Sequence, residues 1–167
     1  MKRGVFLGGV ILGIMVLVGS AYAADKFAYV DLSTIFTEYN KTKDYDKILE
    51  TKEGAYETER NKKVDEVKQL QEKIELLSEK EKEAKTKDLQ KKFKSLQEFD
   101  RQKQTDLRKE RDEKMQEILK DIEGAVRKHA EKEGYTLVFN DRVLVYQTKS
   151  MDITDKIIAM LNKGYKK

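Results

Sequence analysis

The stretch LLSEKEKEA, residues 76–84, lies in the middle of a charged run that reads as helix on both sides. Ser78 is followed three places later by Glu81, the capping-box pattern that starts a helix. A start signal halfway along a helical run implies that one helix stops there and another begins. The flanking apolar residues support this. Val64, Val67, Leu70, Ile74 and Leu77 recur at spacings of three and four, the seam of a coiled coil. The series resumes at Leu89, Phe93, Leu96, Phe99, Leu107, Met115, Ile118, Ile122 and Ala125. If the chain doubles back at 76–80, Val67 falls opposite Leu89, Val64 opposite Lys92 or Phe93, Arg60 opposite Leu96, and Tyr56 opposite Phe99 or Asp100. Leu49 then faces Leu107. The seams also lapse together, because residues 51–54 and 100–106 lack a large apolar side chain and face each other in this register. A single straight rod gives no reason for that match.

The spacing therefore predicts an antiparallel helical hairpin over 42–133 with its tip near 76–80. Its outgoing helix, 42–77, would be about 54 Å long at about 1.5 Å per residue. Such an arm buries a narrow stripe and is weakest where apolar contacts are few. The paired gap makes Gly54 and Gln102 candidate hinge positions.

Composition agrees with long solvated helices. Of the 167 residues, 40% are charged and 38% hydrophobic, and proline and cysteine are absent, so no disulfide is available. At the N-terminus, Lys2 and Arg3 precede an apolar core of about 14 residues, Val5 to Val18, and then Ala21-Tyr22-Ala23. This reads as a signal peptide, residues 1–23, cleaved after Ala23. A membrane span would need roughly 20 apolar residues. Cleavage leaves 33 basic against 31 acidic residues, so the sequence pI near 9.0 overstates the mature chain's basicity. The charge is unevenly spread. Lys80, Lys82, Lys85, Lys87, Lys91, Lys92 and Lys94 crowd the return side of the hairpin and are candidate contacts for acidic segments or anionic surfaces.

The two ends of the chain look different. Residues 24–41 offer a strand, KFAYVD (26–31), and a short helix for which Ser33 is a candidate cap, with Asn40 or Thr42 capping the next. Residues 134–167 offer two β-rich runs, YTLVF (135–139) and VLVY (143–146). Asn140-Asp141-Arg142 between them suits a hairpin turn. A final helix starts at Asp152-Ile153-Thr154-Asp155. Three short strands do not close a core alone. Phe27, Tyr29, Val138, Phe139, Val143 and Val145 would place apolar groups on both faces of the sheet, which points to an oligomeric body. The expected fold class is α+β, mostly helical: a long coiled-coil hairpin projecting from a small β-rich oligomerisation body.

In this order the parts resemble the Skp (OmpH-like) family of periplasmic chaperones. The resemblance rests on VDL (30–32), GYTLVF (134–139), VLVY (143–146) and DIT (152–154), and it covers nearly all of the mature chain. It implies a homotrimer in the periplasm, shaped like a jellyfish, with three hairpin arms around a cavity. It further implies an ATP-independent holdase whose clients are unfolded outer-membrane proteins. A lipopolysaccharide-binding site has been proposed for some members, so anionic lipid or lipopolysaccharide is a further expected surface partner.

Catalysis finds no support in the residues. His129 is the only histidine, and its place four residues before Glu133 suggests a surface pair. No phosphate-binding glycine loop appears, and no cofactor is expected. Mixed charges and an export signal argue against nucleic acid. The competing reading is a structural coiled-coil spacer of the envelope without chaperone activity.

Overall fold

The computed structural model describes residues 25–166. The expected signal peptide and its cleavage site lie outside those residues. A short strand, β1 (Phe27–Val30), leads into α1 (Leu32–Glu38). Two long helices follow, α2 (Asn40–Glu75) and α3 (Glu79–Glu133). The chain closes with β2 (Leu137–Asn140), two 3₁₀ turns and α4 (Thr154–Gly164).

The reversal falls at 76–78, inside the expected tip. The backbone N–H groups of Leu76 and Leu77 tighten the end of α2 by bonding to Lys73 and Ile74 carbonyls, both at 3.2 Å. Ser78 is extended and caps α3. The Glu81 carboxylate accepts from the Ser78 hydroxyl at 2.5 Å and from its backbone N–H at 3.4 Å. That pair of donors holds the Glu81 carboxyl below its usual pKa. The capping signal read from four residues is thus a real helix start.

Cross-arm partners follow the expected fold-back near the tip and shift toward the body. Tyr56 meets Phe99 ring to ring at 5.8 Å, and its hydroxyl bonds Asp100. Further down, Lys52 pairs with Glu110 and Arg111 with Glu53, partners well rootward of a simple reflection about Ser78. The shift has a geometric cause. Side chains lean toward their own helix N-terminus. In this antiparallel pair α2 side chains lean toward the body and α3 side chains toward the tip, so long side chains meet when the α3 residue lies closer to the body.

The body forms where the two ends meet. β1 and β2 pair in parallel, Ala28 beside Val138 and Tyr29 beside Phe139, and the whole arm is the crossover between them. On its other edge β1 bridges to Asp152, and the Ile153 N–H donates to the Tyr29 carbonyl at 3.0 Å. Ala28, Val30, Ile35, Tyr39, Ile118, Ile122, Ile153, Ile157 and Leu161 form one core. The α3 residues among them recur at helical spacing, so the root of the return helix, with α1 and α4, covers the strand pair.

Several sequence expectations are corrected. The β-hairpin across Asn140-Asp141-Arg142 does not form: residues 141–143 make a 3₁₀ turn, with the Asn140 side chain accepting from the Arg142 N–H, and 143–146 is no strand. The sheet has two parallel strands, not three. Among the described residues the outer edge of β2 receives no strand, because the 3₁₀ turn carries VLVY away from it. The caps also differ. Asp31, not Ser33, caps α1 by accepting from the Thr34 N–H at 2.9 Å. The start of α2 is capped from a distance: the Asn162 side chain accepts from the Asn40 N–H at 2.8 Å and donates to the Glu38 carbonyl. α3 ends on Gly134 at φ 72°, the left-handed conformation that glycine adopts without strain.

Candidate functional site

The arm is the first candidate, and its construction is asymmetric. At its root an ionic clamp ties α2 to α3. Lys41 reaches Glu117 at 2.6 Å and Asp121 at 2.7 Å, and Lys114 adds a second bond to Glu117 at 2.6 Å. The Tyr39 hydroxyl donates to Asp121 at 3.2 Å. Hydrogen bonds from Lys114 and Lys41 hold the Glu117 carboxyl down at about 2. Burial disfavours the charged form of Lys41, but its bonds to Asp121 and Glu117 outweigh that and raise its pKa. Burial, and then the charge of Asp121, push the Tyr39 phenol up to about 12.

Outward from the clamp the seam thins. Gly54 lies within continuous helix, and a Cβ built there meets nothing within 4 Å. Gln102 bonds Asp106 one turn along its own helix at 2.9 Å, not α2. Here the helices are joined by Lys52–Glu110, Arg111–Glu53 and Arg60–Asp100 with the Tyr56–Phe99 ring contact between them, and because 52–53 lies beside 110–111 the two apolar lapses do not face each other as expected. Phe99 is flanked by Lys63 and Lys103, at 5.0 and 5.6 Å from the ring centre. Exposed ion pairs each contribute about 0–1 kcal/mol.

The seven lysines lie on the outer part of α3, all but Lys82 exposed. Lys82, Lys85, Lys87 and Lys94 pair with Glu79, Asp88, Glu83 and Glu98 along the same helix, and Lys92 crosses to Glu66 at 2.8 Å. Lys92 holds the Glu66 carboxyl below its usual pKa. Lys80 and Lys91 make no ion pair among the described residues. The turn itself is acidic, with five carboxylates against three lysines over 72–83. The basic band stands behind it: residues 84–94 carry five lysines and one carboxylate, Asp88. Sequence reading also passed over a groove in that band, floored by Val67, Leu89 and Phe93. The expected opposition of Val67 and Leu89 was its one visible sign.

The body is the second candidate. Tyr29 is buried and Val138 partly so, packed against the core. Phe27 and Phe139 stand ring to ring at 6.5 Å. Val143 and Val145 are 69% and 106% exposed, and Tyr146 is 83% exposed. Val143, Val145 and Tyr146 are therefore open to solvent, while Leu144 between them is half-buried. His129 is not on the surface: it is buried beside Tyr135, ring centres 6.1 Å apart, with Nε2 unpartnered. Its position seven residues after Ile122 puts it on the inward face of α3. Among the described residues no group of three or more His, Asp or Glu side chains is placed to hold a metal ion. No described helix is long and apolar enough to cross a membrane.

With this geometry in view, a family model described as "Outer membrane protein (OmpH-like)" matches residues 26–161. The chain belongs to the OmpH-like family. The crystal structure of a candidate outer membrane chaperone (OmpH-like) from Caulobacter crescentus CB15 superposes with a TM-score of 0.79. The match covers 86% of this chain and 87% of that one at 13% sequence identity, so it speaks for the fold alone. No curated protein matches the sequence. The matched segment joins the two ends of the OmpH-like chain to the arm between them. The long helices and small strand pair are thus the family's architecture, kept where few residues are shared.

Proposed function

We propose that the protein is an ATP-independent periplasmic holdase that binds unfolded outer-membrane proteins and keeps them from aggregating. The observation that carries this reading is the pairing of solvent-exposed apolar groups at the body with a projecting arm whose seam is thin and partly open. Val143, Val145 and Tyr146 are left uncovered by their own subunit. A second and third copy would cover them and set three arms around a cavity, a homotrimer. Weak contacts repeated inside one cavity give a high effective concentration without a single tight site. Withdrawing the unfolded chain from self-association then follows by mass action. Flexing at the ion-paired gap near Gly54 and Gln102 would adapt the cavity to its client. The lysine band would draw in acidic segments or anionic lipid or lipopolysaccharide headgroups, an attraction that salt screens.

The test is to dilute a denatured outer-membrane barrel protein with and without the mature chain, following light scattering and the mass of any complex. Suppressed scattering and a stable complex support a holdase. Unchanged scattering with no complex would leave the structural spacer as the better account. The mass of the free protein tests the trimer separately.

A further inference from the structure

The two helices of the arm enter the body in different ways. α3 runs unbroken from the tip to Glu133, and Ile118 and Ile122 fix its root in the core. α2 begins after one extended residue, Tyr39 at φ −69° and ψ 124°, which offers it no side-chain cap. A one-residue break between α1 and α2 is a joint, because two soft backbone dihedrals there set the angle between the helices.

The last turn of α4 holds this joint. The Asn162 amide brackets it, accepting from the Asn40 N–H at 2.8 Å and donating to the Glu38 carbonyl at 3.2 Å. Tyr165 closes over the residue between them. Its ring stands edge-on to Tyr39, centres 5.8 Å apart, and its hydroxyl donates to Asp44 at 3.4 Å. Two α4 side chains thus grip both sides of the joint. Both Asn162 bonds are exposed, so water competes for them. Ile153, Ile157 and Leu161 anchor the rest of α4 in the core, so the grip can open while the helix stays docked. Lys41 is a different kind of tie. It reaches Glu117 and Asp121 through a flexible four-carbon stem, which follows a small shift of α2 that a backbone bracket forbids.

The mechanical consequence follows from the hairpin. Two helices joined at the tip bend in their common plane only if one slides along the other. The root of α3 is fixed in the core, so sliding requires the root of α2 to move. We propose that Asn162 and Tyr165 form a latch that sets the stiffness of the arm: closed, it anchors both helices, and open, it frees α2 to slide so that the arm bends. The latch belongs to this chain's own fold and holds whether or not the arm carries a client.

The test places spin labels at two exposed positions of the mature full-length chain, Glu131 at the body end of α3 and Glu57 on α2. Labelled chains are diluted with unlabelled ones, so that only distances within one chain are read by dipolar spectroscopy. An Asn162→Ala, Tyr165→Ala double variant should broaden the distance distribution, and Lys41→Met should broaden it less. The Asn40 amide should exchange about fivefold faster in the double variant, through loss of one net hydrogen bond. The Ile157 amide, bonded to the Ile153 carbonyl within α4, should keep its protection. An unchanged distribution in the double variant would overturn the proposal, as would a larger effect of Lys41→Met. Loss of Ile157 protection alongside the broadening would overturn it too, because α4 would then have undocked as a whole.

Discussion

Replacing Ile122 by alanine tests where this protein keeps its stability. Ile122 is 1% exposed and belongs to the core that joins α3 to the strands and to α4. The substitution removes three carbons, about 2.4 kcal/mol of transfer free energy at about 0.8 kcal/mol per buried methylene. The cavity left behind adds to this, for a total of about 3–4 kcal/mol. That is a large part of the 5–15 kcal/mol that roughly bounds a domain's stability. The control is Leu119→Ala on the same helix, three residues earlier and 46% exposed, expected to cost about 1 kcal/mol or less. The assay is urea unfolding followed by far-UV circular dichroism at one fixed chain concentration, because self-association makes stability concentration-dependent. With a slope of about 2 kcal/mol per molar, the Ile122 variant should unfold about 1.5–2 M earlier. Equal midpoints for the two variants would refute the argument, since the body would then not be anchored on this face of α3.

Other outcomes follow from single residues. Gly134→Ala forces a side chain into a left-handed cap and should cost about 1 kcal/mol in the same unfolding assay, whereas no loss would mean the cap is not held at φ 72°. Gly54→Ala, at an exposed helix position where the new methyl meets nothing, should stabilise the arm by about 0.5–1 kcal/mol. If the gap flexes, amide hydrogen exchange around residues 51–54 should slow as well. Spin labels at Val67 and Leu89, which share a groove, should show strong dipolar coupling, while separation near 30 Å would describe an unbroken rod. Because the folded Glu117 carboxyl sits at about 2, below its ordinary 4.5, its contribution is complete above the ordinary value and is lost as pH falls toward about 2. Glu117→Gln should therefore flatten the acid limb of a stability–pH curve, and an unchanged limb would show that the clamp contributes nothing.

Much of the arm was legible because its signals are local. A serine and a glutamate three residues apart mark a helix start wherever they fall, and apolar spacings of three and four specify a seam within a few turns. The lapses at 51–54 and 100–106 pointed to a fold-back but not to its register: Lys52 and Glu53 pair with Glu110 and Arg111, so the two gaps are offset along the arm. The body was harder to read. VLVY has the composition of a strand, but the 3₁₀ turn at 141–143, capped by the Asn140 side chain, leads it away from the open outer edge of β2. The cap of α2 comes from Asn162, more than 120 residues away, so no window around Asn40 reveals it. His129 reads as a surface residue beside Glu133 until the root of α3 turns that face onto Tyr135. The lysine band was visible as composition, but its displacement from the acidic turn and its relation to the groove depend on which α2 residues come alongside.

The sequence by itself determined that two helices run antiparallel from a turn at Ser78 and that the ends differ in kind from the middle. Periodicity and capping act through neighbours along the chain, and a single sequence records those directly. Only the tertiary structure decided which strand edges are filled, which polar groups cap from afar, and which apolar groups remain uncovered. Those outcomes depend on competition for hydrogen-bond partners and buried surface among residues distant in sequence, and local preference does not settle such a competition.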